Sequence, residues 1–383
     1  MRSDATIGVT IHGIVAKIGI SVELFATDTY QRYRRYGRFA VTGSPIYPDF
    51  LKNDNACARL LWSRWLFALS SSLIHVPIRA FSRVRTTGIG ARIALVAPSG
   101  PLYGNADVDT AVATTRSLGW EATVGEHVLA RYSYFAATDA DRIADFNLAL
   151  RDDAIDAIWC LRGGYGVMRI LDHLDYDAMR RHPKPIMGYS DISALHAAAG
   201  RACEIVSYHS PNARTPLTPF ARDSFERALL RAVDPCGSAS AARVIRGGRA
   251  RGRLAGGNLS LISSLAGTPY LPDLDGAILV IEDTNEGLYR IDRMLTQLSL
   301  AGDLSGLTAI AFGYCTQCDA DESPGDTRQS RTLDDVLAEF ASALRIPCIA
   351  GIPMGHVDDQ WTIPLGAVAT LDADSLTLSV EES

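Results

Sequence analysis

The stretch Ala91-Arg92-Ile93-Ala94-Leu95-Val96-Ala97, ended by Pro98-Ser99-Gly100-Pro101, decides the fold of this 383-residue chain. A short apolar run that stops at turn-forming residues is typical of a strand buried on both faces of a parallel sheet. Similar runs occur at 154–161, 185–188 and 204–208, and helical stretches lie between them. Strands that alternate with helices at this spacing predict a parallel α/β sheet covered on both faces.

The second half of the chain is richer in strand-like segments. Apolar runs at 276–281 and 308–312 flank a helical stretch, and the tail reads as β segments interrupted by turn residues. Turn formers and arginines with little apolar content separate the two halves, which is typical of a domain boundary. The expected organisation is listed here: a basic extension at 1–90, an α/β domain at 91–235, a linker at 236–251 and a strand-richer α+β domain at 252–383.

The first 90 residues differ from the rest in charge. They contain 12 Lys and Arg against five Asp and Glu, whereas the remainder contains 25 against 38. They also lack regular hydrophobic periodicity. We therefore expect a poorly ordered extension, or a piece outside the natural protein, in preference to a segment that contacts nucleic acid or an acidic membrane surface.

Composition excludes several classes of protein. The net charge of −6 argues against a general nucleic-acid binder, which needs clustered Lys and Arg. The sequence contains no window of about 20 uninterrupted apolar residues, so stable membrane insertion is not expected. Seven cysteines without a disulfide framework favour a reducing compartment. Cys315 and Cys318 lack a second ligand pair, so a partly buried strand end is expected there rather than a zinc site.

A serine follows the apolar run at 185–188, in the sequence Gly188-Tyr189-Ser190-Asp191. A sharp turn from strand to helix would lift the hydroxyl above the sheet edge, next to helix amides that stabilise an oxyanion. The sequence lacks the second glycine of a full nucleophile elbow. From spacing alone, a simple helix N-cap is the preferred interpretation of Ser190.

A glycine-rich turn, Arg162-Gly163-Gly164-Tyr165-Gly166, follows another apolar run. Glycines allow backbone amides to approach and point at an anion. No Lys-Ser or Lys-Thr pair follows, so a phosphate loop is weakly supported. A plain tight turn explains the pattern equally well.

Two residues of the second half end or follow strands. Glu282 ends an apolar run, and His356 lies beside acidic residues in a Gly-bounded loop. A buried carboxylate can fix the tautomer of a histidine and stabilise its protonated form. A lone histidine is more often a solvated or structural residue, so the spacing alone does not decide its role.

Taken in order, these segments resemble the LD-carboxypeptidase family of serine peptidases, which includes murein tetrapeptide carboxypeptidases and microcin C immunity peptidases. The resemblance covers roughly 91–381. Its segments are listed here: 94–100, 134–147, Arg162-Gly163-Gly164-Tyr165-Gly166, Gly188-Tyr189-Ser190-Asp191, Gly256-Gly257-Asn258, Gly267-Thr268-Pro269, Ile281-Glu282-Asp283, 289–295 and Gly355-His356.

The resemblance implies a triad of Ser190 as nucleophile, Glu282 as orienting acid and His356 as general base. Glu282 is preferred to Asp283 and Glu286. The oxyanion hole would consist of the backbone amides of Asp191, Gly163 and Gly164. Arg162 and Asn258 are the candidates that bind the substrate carboxylate.

The implied reaction is the release of terminal D-alanine from cytoplasmic muropeptides by hydrolysis of an LD-peptide bond. No metal or organic cofactor is implied, and the expected partners are a small peptide or muropeptide and a second copy in a homodimer. One alternative is an immunity-type peptidase that cleaves an aminoacyl or peptidyl nucleotide analogue. A second alternative is a ligand-binding module with an inert serine on the same scaffold.

Overall fold

Two β-sheets organise the part of the chain that the computed structural model describes, which is residues 81–82, 84, 86–318 and 331–381. Both sheets contain parallel strands and are packed with helices, so the expected mixed α/β fold is confirmed. Most of the basic extension at 1–90, and nearly all of the polar loop at 319–331, lie outside the described residues.

The elements that build the first sheet come mainly from the first half. They are listed in chain order: β1 (Arg92–Val96), α1 (Asn105–Ser117), β2 (Glu121–Val124), α2 (Asp139–Arg151), β3 (Ala157–Cys160), α3 (Tyr176–Arg181), β4 (Ile186–Gly188), α4 (Ser193–Cys203), β5 (Ser207–His209) and α5 (Pro219–Glu226). Their β-strands pair in parallel. The apolar runs at 91–97, 154–161, 185–188 and 204–208 predicted β1, β3, β4 and β5, because the inner strands of a parallel sheet are buried on both faces. The edge strand β2 is largely exposed.

The second half builds the larger sheet. Its elements are listed in chain order: β6 (Gly237–Ser238), β7 (Arg243–Arg246), β8 (Arg249–Asn258), α6 (Leu259–Ser264), β9 (Ala277–Thr284), α7 (Leu288–Leu300), β10 (Ala309–Thr316), α8 (Leu333–Leu344), β11 (Cys348–Ala350), β12 (Ile363–Leu365), β13 (Val368–Asp372) and β14 (Thr377–Val380). The strand order is β6-β14-β13-β8-β9-β10-β11-β7. The four central strands, β8 to β11, run parallel, and the outer ones are antiparallel.

One strand of the second half joins the first sheet instead. β12 pairs antiparallel with β5, so the first sheet has the order β12-β5-β4-β3-β1-β2. The chain thus passes from β11 of the larger sheet to β12 of the smaller one. The loop between these two strands carries His356.

The first sheet reverses its direction of growth between β1 and β3. The chain leaves β1 toward β2 on one side, whereas it leaves β3 toward β4 and β5 on the other. In open α/β sheets, ligands bind in the crevice at the carboxyl ends of the strands at such a switch point. The loops that begin at Pro98 and Leu161 form this crevice.

Two local expectations differ from the structure. After Gly166 the chain forms two short 3-10 turns, Val167–Arg169 and Leu171–His173, rather than one helix. The stretch expected as a linker, 236–251, contains β6, β7 and the start of β8. Its residues are polar because β6 and β7 are the two edge strands of the larger sheet, and the first residues of the central strand β8 are still partly exposed.

The last residues of the basic extension contact the α/β region. Ser82 forms a parallel bridge with Ile205, and its backbone exchanges hydrogen bonds with Glu204 and Val206. Val84 is buried, and both the backbone and the hydroxyl of Thr87 donate to the Leu229 carbonyl. The described end of the extension is therefore packed.

Cys315 and Cys318 are joined by a disulfide at the end of β10. The cysteine pattern predicted a partly buried strand end here but no disulfide. The turn after β10 brings the two Cα atoms to 5.7 Å, which is a usual distance for a disulfide. Among the described residues, no helix is long and apolar enough to cross a membrane.

Candidate active site

Ser190 stands on a strained turn at the end of β4. Its φ of 67° lies in the left-handed region, which costs a non-glycine residue free energy and is concentrated at functional sites. A 3-10 turn, Ser190–Ile192, leads directly into α4. The Ser190 hydroxyl contacts His356 rather than capping this helix, which differs from the N-cap interpretation.

His356 connects the serine with a carboxylate from the other sheet. Its Nε2 lies 3.2 Å from Ser190 Oγ, and its Nδ1 lies 2.9 Å from Glu282 Oε2. The imidazole is 24% exposed, whereas the Glu282 side chain is fully buried. With Nδ1 donating to Glu282, Nε2 is left to accept the serine proton, which is the arrangement a general base needs.

Glu282 is held by a second contact at its other oxygen. Asn258 Nδ2 donates to Glu282 Oε1 at 3.1 Å, and also to Asp283 Oδ1 at 3.1 Å. The Asn258 side-chain oxygen accepts from the Leu261 amide and caps α6. The Asn258 side chain is thus occupied within the protein, so the geometry gives it a positioning contact rather than the substrate contact expected from sequence.

The two neighbouring acids point elsewhere. Asp283 accepts from Ser260 and the Thr284 amide, and Glu286 contacts Arg290. Burial raises the pKa of Asp283 to about 6. Among these three carboxylates, only Glu282 contacts His356.

The glycine turn after β3 lies directly against the serine. A Cβ added at Gly163 would lie 2.7 Å from the Ser190 Cβ and 2.9 Å from its Oγ, so only glycine fits this approach. The Gly163 carbonyl accepts from the Gly100 amide, which ties this turn to the loop after β1. Among the described residues, the amides of Gly163 and Gly164 have no acceptor, so both are available to a ligand.

The Asp191 side chain holds two of the loops around the serine, a role that sequence reasoning missed. Its Oδ2 accepts from Ser99 Oγ at 2.6 Å and from the Val167 amide at 2.9 Å. Burial raises the pKa of this carboxyl. The sequence motif identified its backbone amide as a candidate, but its side chain fixes the loops after β1 and β3.

Arg142 holds the same two loops from the other side, and it was also missed. Its Nη1 donates to the carbonyls of Pro98 and Gly166, and Nη2 pairs with Asp139. The Arg142 side chain is fully buried. A signal was present, because Arg142 lies on the same helical face as the apolar Phe146 and Ala149.

Tyr189 packs against the catalytic histidine candidate. Its ring meets the His356 ring edge-to-face at 5.0 Å and the His209 ring at 5.9 Å. His209 is fully buried, and neither of its ring nitrogens has a hydrogen-bond partner among the described residues. Burial lowers the pKa of His209 to about 3, so this imidazole is neutral.

Arg162 lies on the other side of the glycine turn. Its guanidinium donates to the Pro101 carbonyl at 2.6 Å and stacks on the Tyr103 ring at 5.0 Å. Within the described chain, no carboxylate pairs with Arg162. The structure therefore brings Ser190, Glu282 and His356 together with Asn258, and it places Arg162 separately at the crevice between β1 and β3.

No group of three or more His, Cys, Asp or Glu side chains in the described ranges is arranged to hold a metal ion. The chemistry available at this site is that of a hydroxyl beside an imidazole, a buried carboxylate and free backbone amides.

Comparison with known proteins gives two family matches. A family model for the LD-carboxypeptidase N-terminal domain matches residues 93–210, and one for the C-terminal domain matches residues 251–371. A putative carboxypeptidase of Streptomyces coelicolor is 38% identical, over 76% of this chain and 94% of that protein. The murein tetrapeptide carboxypeptidase of Pseudomonas aeruginosa is 33% identical, over 75% of this chain and 95% of that protein.

Solved structures share the fold. An MccF-like protein from Bacillus anthracis superposes with a TM-score of 0.70 at 24% identity, covering 79% of this chain and 100% of that chain. MccF is the microcin C7 self-immunity protein of Escherichia coli, which is 27% identical over 65% of this chain and 80% of that protein.

Proposed function

This chain belongs to the LD-carboxypeptidase family and is therefore a peptidase; we propose that it is a serine carboxypeptidase that releases terminal D-alanine from muropeptides. The bond cleaved would be the LD-peptide bond between the L-centre of a diamino acid and D-alanine. The murein tetrapeptide carboxypeptidase among its relatives supports this substrate class.

The observation that carries the proposal is the contact of His356 with both Ser190 and Glu282. These three residues come from separate parts of the sequence, and a binding protein has no need for this alignment. The strained φ of Ser190 presents its hydroxyl to the imidazole. Hydrogen-bond distances between nucleophile, base and orienting acid are the mark of an activated serine.

In the proposed mechanism, His356 Nε2 takes the proton of Ser190 as its Oγ attacks the peptide carbonyl. Glu282 orients the imidazole and stabilises its charged form, while the Gly163, Gly164 and Asp191 amides bind the oxyanion. The protonated His356 then gives its proton to the leaving amine. Water hydrolyses the acyl-enzyme with the same base, which restores Ser190.

Arg162 is the residue we assign to the carboxylate of the released amino acid. It lies next to the Gly163 turn, and no carboxylate of the described residues neutralises it. Its contacts with Pro101 and Tyr103 fix the guanidinium in place, which lowers the entropy lost on binding.

Product analysis by mass spectrometry tests the proposal. The purified chain is incubated with an LD-linked tetrapeptide and, in parallel, with an aminoacyl sulfamoyl adenosine. We expect release of D-alanine from the tetrapeptide and a loss of at least about a thousandfold in kcat for Ser190→Ala, with folding intact. Equal turnover by Ser190→Ala would remove this serine from the mechanism.

The alternative function is that of an immunity-type peptidase, which cleaves an aminoacyl or peptidyl nucleotide analogue. The 27% identity to the microcin C7 self-immunity protein is the observation that favours it. Cleavage of the sulfamoyl adenosine compound without release of D-alanine would establish this alternative. Binding of either compound without cleavage would indicate the non-catalytic module.

We further propose that the protein acts in the cytoplasm as a homodimer with two structural halves divided near residues 236–251. Sedimentation of the purified chain tests the oligomeric state: a single species of 41.3 kDa would contradict the dimer.

A further inference from the structure

An open pocket lies beside the switch point of the first sheet, between the loops after β1, β2 and β3. Its volume is about 390 Å³, and its walls include Tyr103, Tyr134, Tyr165, Arg131 and Arg162. These five residues define what we call the tyrosine pocket. Crevices at switch points of α/β sheets are where such folds bind ligands.

The tyrosine pocket and Ser190 lie against neighbouring residues of the same glycine turn. Gly100 and Gly164 form its inner wall. Gly163, between Arg162 and Gly164, makes the close approach to the Ser190 side chain. The width of this glycine turn is therefore all that separates a substrate group on the acyl carbon at Ser190 from the pocket.

The size of the pocket exceeds what D-alanine requires. Pockets of roughly 300–1,000 Å³ hold drug-sized ligands, whereas the side chain of alanine is one methyl group. The tyrosine pocket falls within that range. A pocket filled only by the methyl and carboxylate of D-alanine would remain largely open.

Its tyrosines are unusually exposed. Tyr103 is 77%, Tyr134 is 60% and Tyr165 is 51% exposed. The rings of Tyr134 and Tyr165 lie 6.0 Å apart at a tilt of 44°. Clustered exposed aromatic rings mark a binding surface, because a flat apolar partner would remove them from water.

The positive charges of the pocket complete the recognition chemistry. Arg131 and Arg162 line it, and neither pairs with a carboxylate among the described residues. Tyr103 stacks on Arg162 and keeps its guanidinium at the inner wall. An anionic group is therefore favoured at the inner wall of the pocket, beside the glycine turn, with aromatic surface beyond it.

We propose that the tyrosine pocket binds the released residue and is built for terminal D-amino acids with large aromatic side chains. This rests on the proposed function, since it needs the carboxypeptidase reaction at Ser190. Arg162 holds the α-carboxylate of the terminal residue, and its side chain lies against Tyr134 and Tyr165. The bond from the acyl carbon to the terminal nitrogen breaks, and His356 supplies the proton to that nitrogen.

The test is a series of LD-linked tetrapeptides that differ only in the last residue: D-alanine, D-leucine, D-phenylalanine and D-tryptophan. We expect kcat/KM to rise along the series by roughly tenfold, as expected when an aromatic side chain is removed from water. The double variant Tyr134→Ala/Tyr165→Ala should lower the ratio of D-phenylalanine to D-alanine release to about one. Leu300→Ala removes an exposed apolar side chain elsewhere and should keep the ratio unchanged.

The outcomes separate the two proposals. No release of any residue by the unaltered chain would refute the proposed function itself. Release of D-alanine with D-phenylalanine and D-tryptophan rejected would overturn the aromatic subsite and leave the function standing. Attaching the disaccharide to the tetrapeptide provides a third arm. One outcome of this arm is that the disaccharide raises kcat/KM of the unaltered chain, and that the tyrosine variants lose this increase while they keep the preference for aromatic terminal residues. In that case the pocket binds the acyl side of the substrate, and the inference is wrong.

Discussion

At the level of single residues, the buried carboxylate of Glu282 sets the chemistry of the site. Glu282 is fully buried, and its two oxygens are held by His356 and Asn258. A buried charge is tolerated only when hydrogen-bond donors surround it. These donors also fix the direction in which the carboxylate faces the imidazole. Removing the charge of Glu282 should therefore lower kcat more than removing the charge of a neighbouring carboxylate.

Glu282→Gln should reduce kcat far more than Asp283→Asn or Glu286→Gln, by roughly a hundredfold or more, because only Glu282 contacts His356. Steady-state kinetics of the three variants, with circular dichroism to confirm folding, measures the difference. A larger loss for Asp283→Asn would show that the wrong carboxylate has been assigned to the histidine.

The buried His209 predicts acid sensitivity of the fold. Because burial lowers its pKa to about 3, the folded chain keeps it neutral at pH 5, whereas the unfolded chain takes up a proton near pH 6.5. Acidification from pH 7 to pH 5 therefore favours unfolding by roughly 1–2 kcal/mol through this residue. Urea unfolding should show that His209→Leu loses less unfolding free energy between pH 7 and pH 5 than the unaltered chain does.

The exposed His182 provides the matched control for this measurement. His182→Gln should retain the full loss of unfolding free energy between pH 7 and pH 5. The role of His209 would be refuted if His209→Leu and the unaltered chain lost equal amounts.

At the level of secondary-structure elements, the loops at the carboxyl ends of the strands form the site. The loops after β1, β3 and β4 meet around Ser190, and two buried charged side chains, Asp191 and Arg142, join the first two of them. The rigid sheet sets where each loop begins, and these side chains set where it goes. Loops held by a rigid scaffold are common carriers of catalytic groups.

Gly163→Ala should impair catalysis through this arrangement of loops. The added methyl group would lie 2.7 Å from the Ser190 Cβ, so the turn or the serine must move. We expect a loss in kcat of about a hundredfold, comparable to the loss of one oxyanion donor. Gly88→Ala is the control, since a Cβ there has no neighbour within 4 Å. Equal kcat for the two variants would show that the turn does not position the serine or the oxyanion.

At the level of the described molecule, the triad depends on the passage of the chain from one sheet to the other. Ser190 follows β4 of the first sheet, Glu282 belongs to β9 of the second, and His356 lies on the loop from β11 to β12. Pairing of β12 with β5 anchors the far end of this loop. None of the described residues before Ala91 (81, 82, 84 and 86–90) forms a hydrogen bond with these three side chains, although Ser82 and Thr87 pack on the same region.

Shortening the chain should therefore lower stability more than activity. A chain that starts at Gly88 loses the bridge of Ser82 with Ile205, the burial of Val84 and the Thr87 hydrogen bonds, which a chain that starts at Phe81 keeps. We expect about 3 kcal/mol lower unfolding free energy, and a Tm lower by roughly 5 °C for a chain of about 300 residues. Calorimetry and kinetics of the two chains measure both effects.

The kcat/KM of the two chains should agree within about threefold at temperatures where both are folded, because the triad is complete in each. A selective loss of kcat/KM at equal folded fraction would place a residue of 81–87 in the site. Equal Tm values would show that their contacts contribute no stability.

Local sequence patterns were sufficient for β1, β3, β4 and β5 of the first sheet and for the order of the motifs. Apolar runs such as 91–97 have one stable fate, burial on both faces of a sheet, so the pattern of single segments was sufficient. The turn at Gly163 and the strand end at Glu282 were likewise visible from residue type and position. The contact of Ser190 with His356 was implied only by resemblance, because the spacing left simpler interpretations open. The contact of Glu282 with Asn258 was not predicted, since Asn258 was expected to bind substrate.

Which of these residues touch depends on strand order and on the crossing of β12 to the first sheet, and both are properties of the folded chain. No local pattern records either of them. The carbonyl partners of Arg142 and the loop contacts of the Asp191 side chain were missed for the same reason. A local pattern specifies how much of a segment is buried, whereas the partner of a buried polar group is fixed by elements distant in sequence.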